Sequence, residues 1–178
     1  MASTSKVKRP VWAAKAVLSH ASVAPALRSA AVLAAVRSAT PGMPMDESAA
    51  APFTDGRWLL SHNGRVSSSV LPARRDAESV CDSAVLAAHV FAEGPERVDA
   101  TIQAVASADP KATLNVLLTD GTRITAVSWG DALSYLVEPD GVVVASEPYD
   151  DDPRWVDVPD RHLLEATPSG VSVTGLVG

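Results

Sequence analysis

Scarcity sets the first bounds on this sequence. Its 178 residues contain one cysteine, Cys81, which excludes an internal disulfide and any zinc site built from several thiolates. A lone thiol also agrees with a cytoplasmic setting, the location expected here. Aromatic residues make up only 4% of the chain. The 47% hydrophobic content must therefore come from small aliphatic side chains, alanine above all, and it implies close packing. Basic residues are outnumbered, 15 against 21 acidic ones, for a net charge of −6. Nucleic-acid binding rests on clustered Lys and Arg, so no nucleic-acid partner is expected. No apolar run reaches the roughly 18 residues of a membrane span, and no membrane association is expected. Lys6, Lys8 and Arg9 ahead of Val11 to Ala21 imitate a signal peptide, but Lys15 interrupts its apolar core. The histidines, His20, His62, His89 and His162, lack paired ligand spacing, so neither a metal nor a cofactor is assigned.

The length suits one domain. Residues 1–21 have no firm periodicity and read as a disordered or unmatched lead, leaving 22–178 as the domain. Ser22 to Ser29 reads as a short helix capped by Ser22. Ala31 to Val36 reads as a strand buried on both faces and tipped by Arg37. Pro41, Gly42, Pro44 and Pro52 mark Ser38 to Asp55 as a long loop, the kind that is either disordered or functional. Helical spacing of Val80, Ala84, Ala87, Ala88 and Phe91 predicts a helix over Asp76 to Glu93, stopped by Gly94 and Pro95. A second helix follows over Glu96 to Ala108. The last third changes to period two. Leu114 to Leu118 and Ile124 to Trp129 form a hairpin, Val142 to Ser146 is a further strand, and His162 to Thr167 pairs with Val171 to Leu176. Asp150, Asp151 and Asp152 lack the ligand spacing of a calcium loop and read as a solvated turn.

Three features carry chemistry. In Arg57 to Gly64, Trp58 and Leu60 alternate with Leu59 and Ser61 as in a half-buried strand, and the run ends on Asn63 and Gly64. An Asn-Gly pair after alternating residues is a common hairpin turn. It also offers a carboxamide and a free backbone N–H together, the outline of an oxyanion hole. Arg37 suits a carboxylate through its planar fork, with a solvated strand end as the plainer alternative. Asp82 suits an ammonium, with favourable placement in the first turn of a helix as its plainer alternative. Taken together, the three outline a pocket for an amino acid whose side-chain amide points at Asn63 and Gly64.

At these residues the sequence resembles the class II glutamine amidotransferases. Ala35-Val36-Arg37-Ser38-Ala39-Thr40 is similar to the family's arginine motif. Pro52-Phe53, Trp58 and His62-Asn63-Gly64 are similar to its oxyanion segment, and Ser79 to Ser83 to the segment with its substrate aspartate. A closer resemblance is to one branch, the γ-glutamyl-hercynylcysteine sulfoxide amidohydrolases of ergothioneine biosynthesis. It runs through Pro52 to Gly64, Glu78 to Leu86, Leu114 to Leu136 and Gly141 to Arg161. The resemblance implies an α+β fold, the N-terminal-nucleophile αββα sandwich, and a small-molecule γ-glutamyl substrate. It also implies Asn63 and Gly64 as oxyanion donors, and Arg37, His62 and Asp82 as substrate-binding residues.

The family's nucleophile is a cysteine at the mature N-terminus, whereas Met1 is followed here by Ala2. The expectation is a sandwich incomplete at its N-terminus, a C-terminal larger part without its nucleophile and inactive as a fragment. Cys81 is a poor substitute, because Asp82 beside it opposes a thiolate and no amine adjoins it; a buried structural thiol is the better reading. The alternative function is a noncatalytic amino-acid-binding module or a partner-dependent truncated product. A hydrolase built on Cys81 ranks last. Oligomeric state is not legible.

Overall fold

The period-two segments pair into two antiparallel sheets. The computed structural model describes residues 31–36 and 46–176. Its strands are β1 (Phe53–Thr54), β2 (Leu59–Arg65), β3 (Thr113–Thr119), β4 (Ile124–Ser128), β5 (Ser134–Glu138), β6 (Gly141–Ala145), β7 (Val156–Asp157), β8 (His162–Thr167) and β9 (Gly170–Gly175). The helices α1 (Asp82–Glu93) and α2 (Val98–Ala108) lie between β2 and β3 in the chain. One sheet has the order β1-β2-β3-β4-β8-β9 and the other β6-β5-β7.

Alternation along the strands sorts the apolar side chains between two cores. Leu60, Leu114, Val116, Leu118 and Val127 meet Leu86 and Val90 of α1 and Ile102 of α2. On the other face Ala126, Leu164 and Ala166 meet Leu133 and Val158, with Val142 and Val144 of the second sheet packed against them. The layers are therefore helices, six-stranded sheet, three-stranded sheet. Among the described residues no helix is long and apolar enough to cross a membrane.

One buried polar side chain ties β3 to the connection between the two sheets. Asn115 is fully buried; its Nδ2 donates to Ala132 O at 2.6 Å and its Oδ1 accepts from Trp129 N at 2.7 Å. These bonds fix the corner where the chain leaves β4 for β5. They also explain how a carboxamide is tolerated in an apolar interior.

Several expectations are corrected. Ala31 to Val36 forms no strand: its residues alternate between half-buried and exposed, and Val36 is 96% exposed. Among the described residues no strand pairs with this run. Asn63 and Gly64 do not make a turn but continue β2, in register with Asn115 and Leu114. The first helix starts at Asp82 rather than Asp76. The intervening side chains serve other contacts: Glu78 accepts from Thr54 N at 2.7 Å, and the Arg74 side chain grips Asp76. The expected long loop contains a 3-10 turn at Glu47–Ala49 and the short strand β1. Strands β5 and β7 are additional to the expected set. The helix over 22–29, the 1–21 lead and Arg37 lie outside the described residues.

Replacing Asn115 with Ala leaves Trp129 N–H and Ala132 O without their partner. A stability loss of about 1–3 kcal/mol is expected from urea denaturation; an unchanged midpoint would contradict the linking role.

Candidate active site

The two expected oxyanion donors sit at the end of β2, and the ladder decides where each points. Leu114 gives its N–H to Trp129 O at 2.8 Å, on the β4 side. Its opposite number Gly64 therefore belongs to a non-hydrogen-bonded pair, with its N–H directed away from β3. On that edge β1 pairs only with Leu59 and Leu60, and no other strand among the described residues follows. Asn63, one residue back, projects its side chain to the opposite face, that of Asn115 and Leu117, and is exposed. A carboxamide and a backbone N–H thus stand next to each other at one end of the sandwich.

Gly64 is required by close approach. A Cβ on it would lie 2.0 Å from Thr113 O and 2.8 Å from His62 Nε2, at φ +154°. The imidazole occupies that space because His62 and Gly64 share the helix-side face. His62 Nε2 lies 3.0 Å from Thr113 O and Nδ1 2.9 Å from Ser83 Oγ. A carbonyl only accepts, so Nε2 carries the proton and Nδ1 accepts from the Ser83 hydroxyl. Burial lowers the imidazole's pKa below its ordinary 6.5, opposed by the Thr113 hydrogen bond and the charge of Asp82. Both ring nitrogens are thus committed to protein partners. At the last rung of the ladder Arg65 N donates to Thr113 Oγ1 at 3.0 Å.

Asp82 reaches the same edge from the first turn of α1. Its Oδ2 accepts from Val66 N at 3.1 Å and its Oδ1 from Ser83 N at 2.9 Å. Val66 directly follows β2, two residues beyond Gly64, so the carboxylate lies at the end of that strand. Each oxygen has spent one backbone bond and retains a further lone pair.

Cys81 precedes α1 as its N-cap and is buried, with Sγ 3.9 Å from Ala49 O. That position agrees with a structural thiol. In the acidic turn, Asp150 accepts from Trp155 Nε1 at 2.8 Å and Asp152 pairs with Arg154.

Sequence reasoning did not single out Ser83, Thr113 or Asn115. Ser83 adjoins Asp82, and that adjacency was the only available signal. Thr113 and Asn115 become meaningful only once the β2–β3 register is known.

Comparison with known proteins follows from this geometry. The γ-glutamyl-hercynylcysteine sulfoxide hydrolase of Mycobacterium tuberculosis is 59% identical over 167 residues, covering 94% of this chain and 70% of that protein. The protein of the same name from Mycolicibacterium smegmatis is 57% identical over 168 residues, with 94% and 73% covered. The chain belongs to the γ-glutamyl-hercynylcysteine sulfoxide hydrolase family. No protein-family model matches it. Among solved structures, a glutamine aminotransferase class-II domain protein from Silicibacter pomeroyi superposes with a TM-score of 0.57 at 22% identity, covering 71% of each chain. The glutamine phosphoribosylpyrophosphate amidotransferase of B. subtilis gives 0.54 at 17% identity, over 67% of this chain and 29% of that one. This hydrolase family thus shares the N-terminal-nucleophile amidotransferase fold, as expected.

Two outcomes check the site. Gly64→Ala forces the β2–β3 backbone apart, with an expected loss of about 2 kcal/mol or more by urea denaturation; wild-type stability would contradict the close approach. For His62, the unfolded imidazole takes up a proton near 6.5 that the folded one resists. Stability therefore falls as the pH drops from 6.5 toward the depressed folded value, and is fully present above 6.5. Urea midpoints across that interval should show this slope, and His62→Gln should flatten it.

Proposed function

We propose that this chain carries the glutamyl pocket of an amidohydrolase acting on the γ-glutamyl amide of γ-glutamyl-hercynylcysteine sulfoxide, in ergothioneine biosynthesis. The observation that carries the reading is the end of β2, where the Asp82 carboxylate bonds Val66 N–H, two residues beyond Gly64 and three beyond Asn63. Asp82 takes the substrate's α-ammonium through its remaining lone pairs. Arg37, outside the described residues, takes the α-carboxylate. The side-chain carbonyl then rests between Asn63 and Gly64 N–H. His62 acts behind the pocket wall rather than on the substrate, since Ser83 and Thr113 hold both its nitrogens.

In the reaction a nucleophile adds to the amide carbon and the carbonyl oxygen becomes an oxyanion, which the two donors stabilise. The C–N bond then breaks, the leaving amine takes a proton, and water releases glutamate. The nucleophile's role is assigned to none of the 178 residues. Cys81, the only thiol, is buried behind α1. That burial counts against a hydrolase built on Cys81.

Isothermal calorimetry of the 178-residue chain with L-glutamine and a γ-glutamyl thioether sulfoxide tests the pocket, followed by a glutamate-release assay on the same sample. Binding that Asp82→Asn weakens is expected; no binding of either ligand contradicts the reading. Binding without release selects the noncatalytic module. Where release is measured, Asn63→Ala should slow it by about a hundredfold or more and change glutamine affinity little.

A further inference from the structure

The two groups that would grip a glutamyl substrate belong to different elements. Gly64 N–H belongs to β2, and Asp82 to the first turn of α1. A glutamyl group fits only if the span between them matches the three carbons separating its amide carbonyl from its ammonium. Something must therefore fix α1 against the end of β2.

Two adjacent residues of α1 do so, on either side of Gly64 in the chain. Asp82 Oδ2 takes Val66 N–H, and Ser83 Oγ meets His62 Nδ1 at 2.9 Å. The second tie extends further, because His62 Nε2 passes it to Thr113 O at 3.0 Å. Arg65 and Thr113 are opposite each other in an inward-facing rung, where Arg65 N–H ordinarily bonds the Thr113 carbonyl. The imidazole meets that same carbonyl, and Arg65 N–H also meets Thr113 Oγ1 at 3.0 Å. The helix is thereby bonded through one side chain to both β2 and β3. A Cβ at Gly64 would collide with the same ring at 2.8 Å, so the peptide that offers the oxyanion donor lies against the imidazole itself.

We propose that Ser83 and His62 are specificity-positioning residues: a hydroxyl–imidazole–carbonyl relay that sets the span between Asp82 and Gly64 N–H, and so selects a γ-glutamyl over a β-aspartyl group. This rests on the glutamyl-pocket reading. Neither residue touches substrate. Loosening the relay leaves both binding groups present and lets their separation vary, so the longer and the shorter amino acid become more nearly equivalent.

The test is calorimetric, on the 178-residue chain, with L-glutamine and L-asparagine as probes. The wild type is expected to prefer glutamine. Ser83→Ala should narrow that preference by about three- to tenfold, the worth of one neutral hydrogen bond, and Ser83→Thr, which keeps the hydroxyl, should restore it. If Ser83→Ala fails to fold, His62→Leu carries the same expectation, since it removes both the acceptor for Ser83 and the donor toward Thr113 O. A glutamine preference unchanged in the folded variant, or lowered equally by Ser83→Thr, overturns the relay's role. A wild type that binds glutamine no better than asparagine also overturns it. A wild type that binds neither amino acid overturns the glutamyl-pocket reading itself.

Discussion

The imidazole of His62, wedged between α1 and the start of β3, is the constraint from which the rest of the candidate site follows. Its Nε2–H reaches the Thr113 carbonyl at the end of the β2–β3 ladder and its Nδ1 takes the Ser83 hydroxyl. Space for the ring exists because residue 64 has no side chain. Burial keeps the ring neutral by depressing its pKa, and a neutral ring can donate to the carbonyl with one nitrogen while accepting from the hydroxyl with the other. Gly64, His62 and the start of α1 are thus parts of one arrangement.

The same end of the sandwich is polar on the other face of the sheet as well. Asn63 stands opposite Asn115, the next rung beyond Val116 and Val127 brings Ser128 alongside, and Ser128 pairs with His162. Asn115 is satisfied by the corner after β4, whereas Ser128 Oγ is buried with no hydrogen-bond partner among the described residues. Apolar packing resumes immediately beyond this row, at Ala126 and Leu164. Rigid apolar layers therefore support a polar end, an arrangement that holds hydrogen-bond donors in place before a substrate arrives.

Much of this was legible in the sequence, and the exceptions have physical causes. The hairpin of β3 and β4, the β8–β9 pair and the second helix are periodic segments bounded by turn residues, and local pattern suffices for them. Asn63 and Gly64 were found as a chemical pair but given a turn as their alternative. What keeps them in a strand is pairing with Asn115 and Leu114, about fifty residues distant, and no local signal reports that. Val80 fits the apolar spacing and so extends the predicted helix too early, although it is 78% exposed. Ala31 to Val36 has the composition of a buried strand, but no strand among the described residues pairs with it. His62 carried a resemblance to substrate-binding segments, yet its actual contacts, Ser83 and Thr113, are 21 and 51 residues away. A residue that acts by bridging distant elements leaves little trace in its own neighbourhood.

The most direct measurement is a crystal structure of the chain with L-glutamine bound. The account predicts the side-chain carbonyl oxygen within about 3 Å of both Gly64 N and the Asn63 carboxamide nitrogen, with the α-ammonium against Asp82. Glutamine seated elsewhere, for instance in the groove of Leu71, His89 and Ala104 on the outer side of the helices, would contradict it.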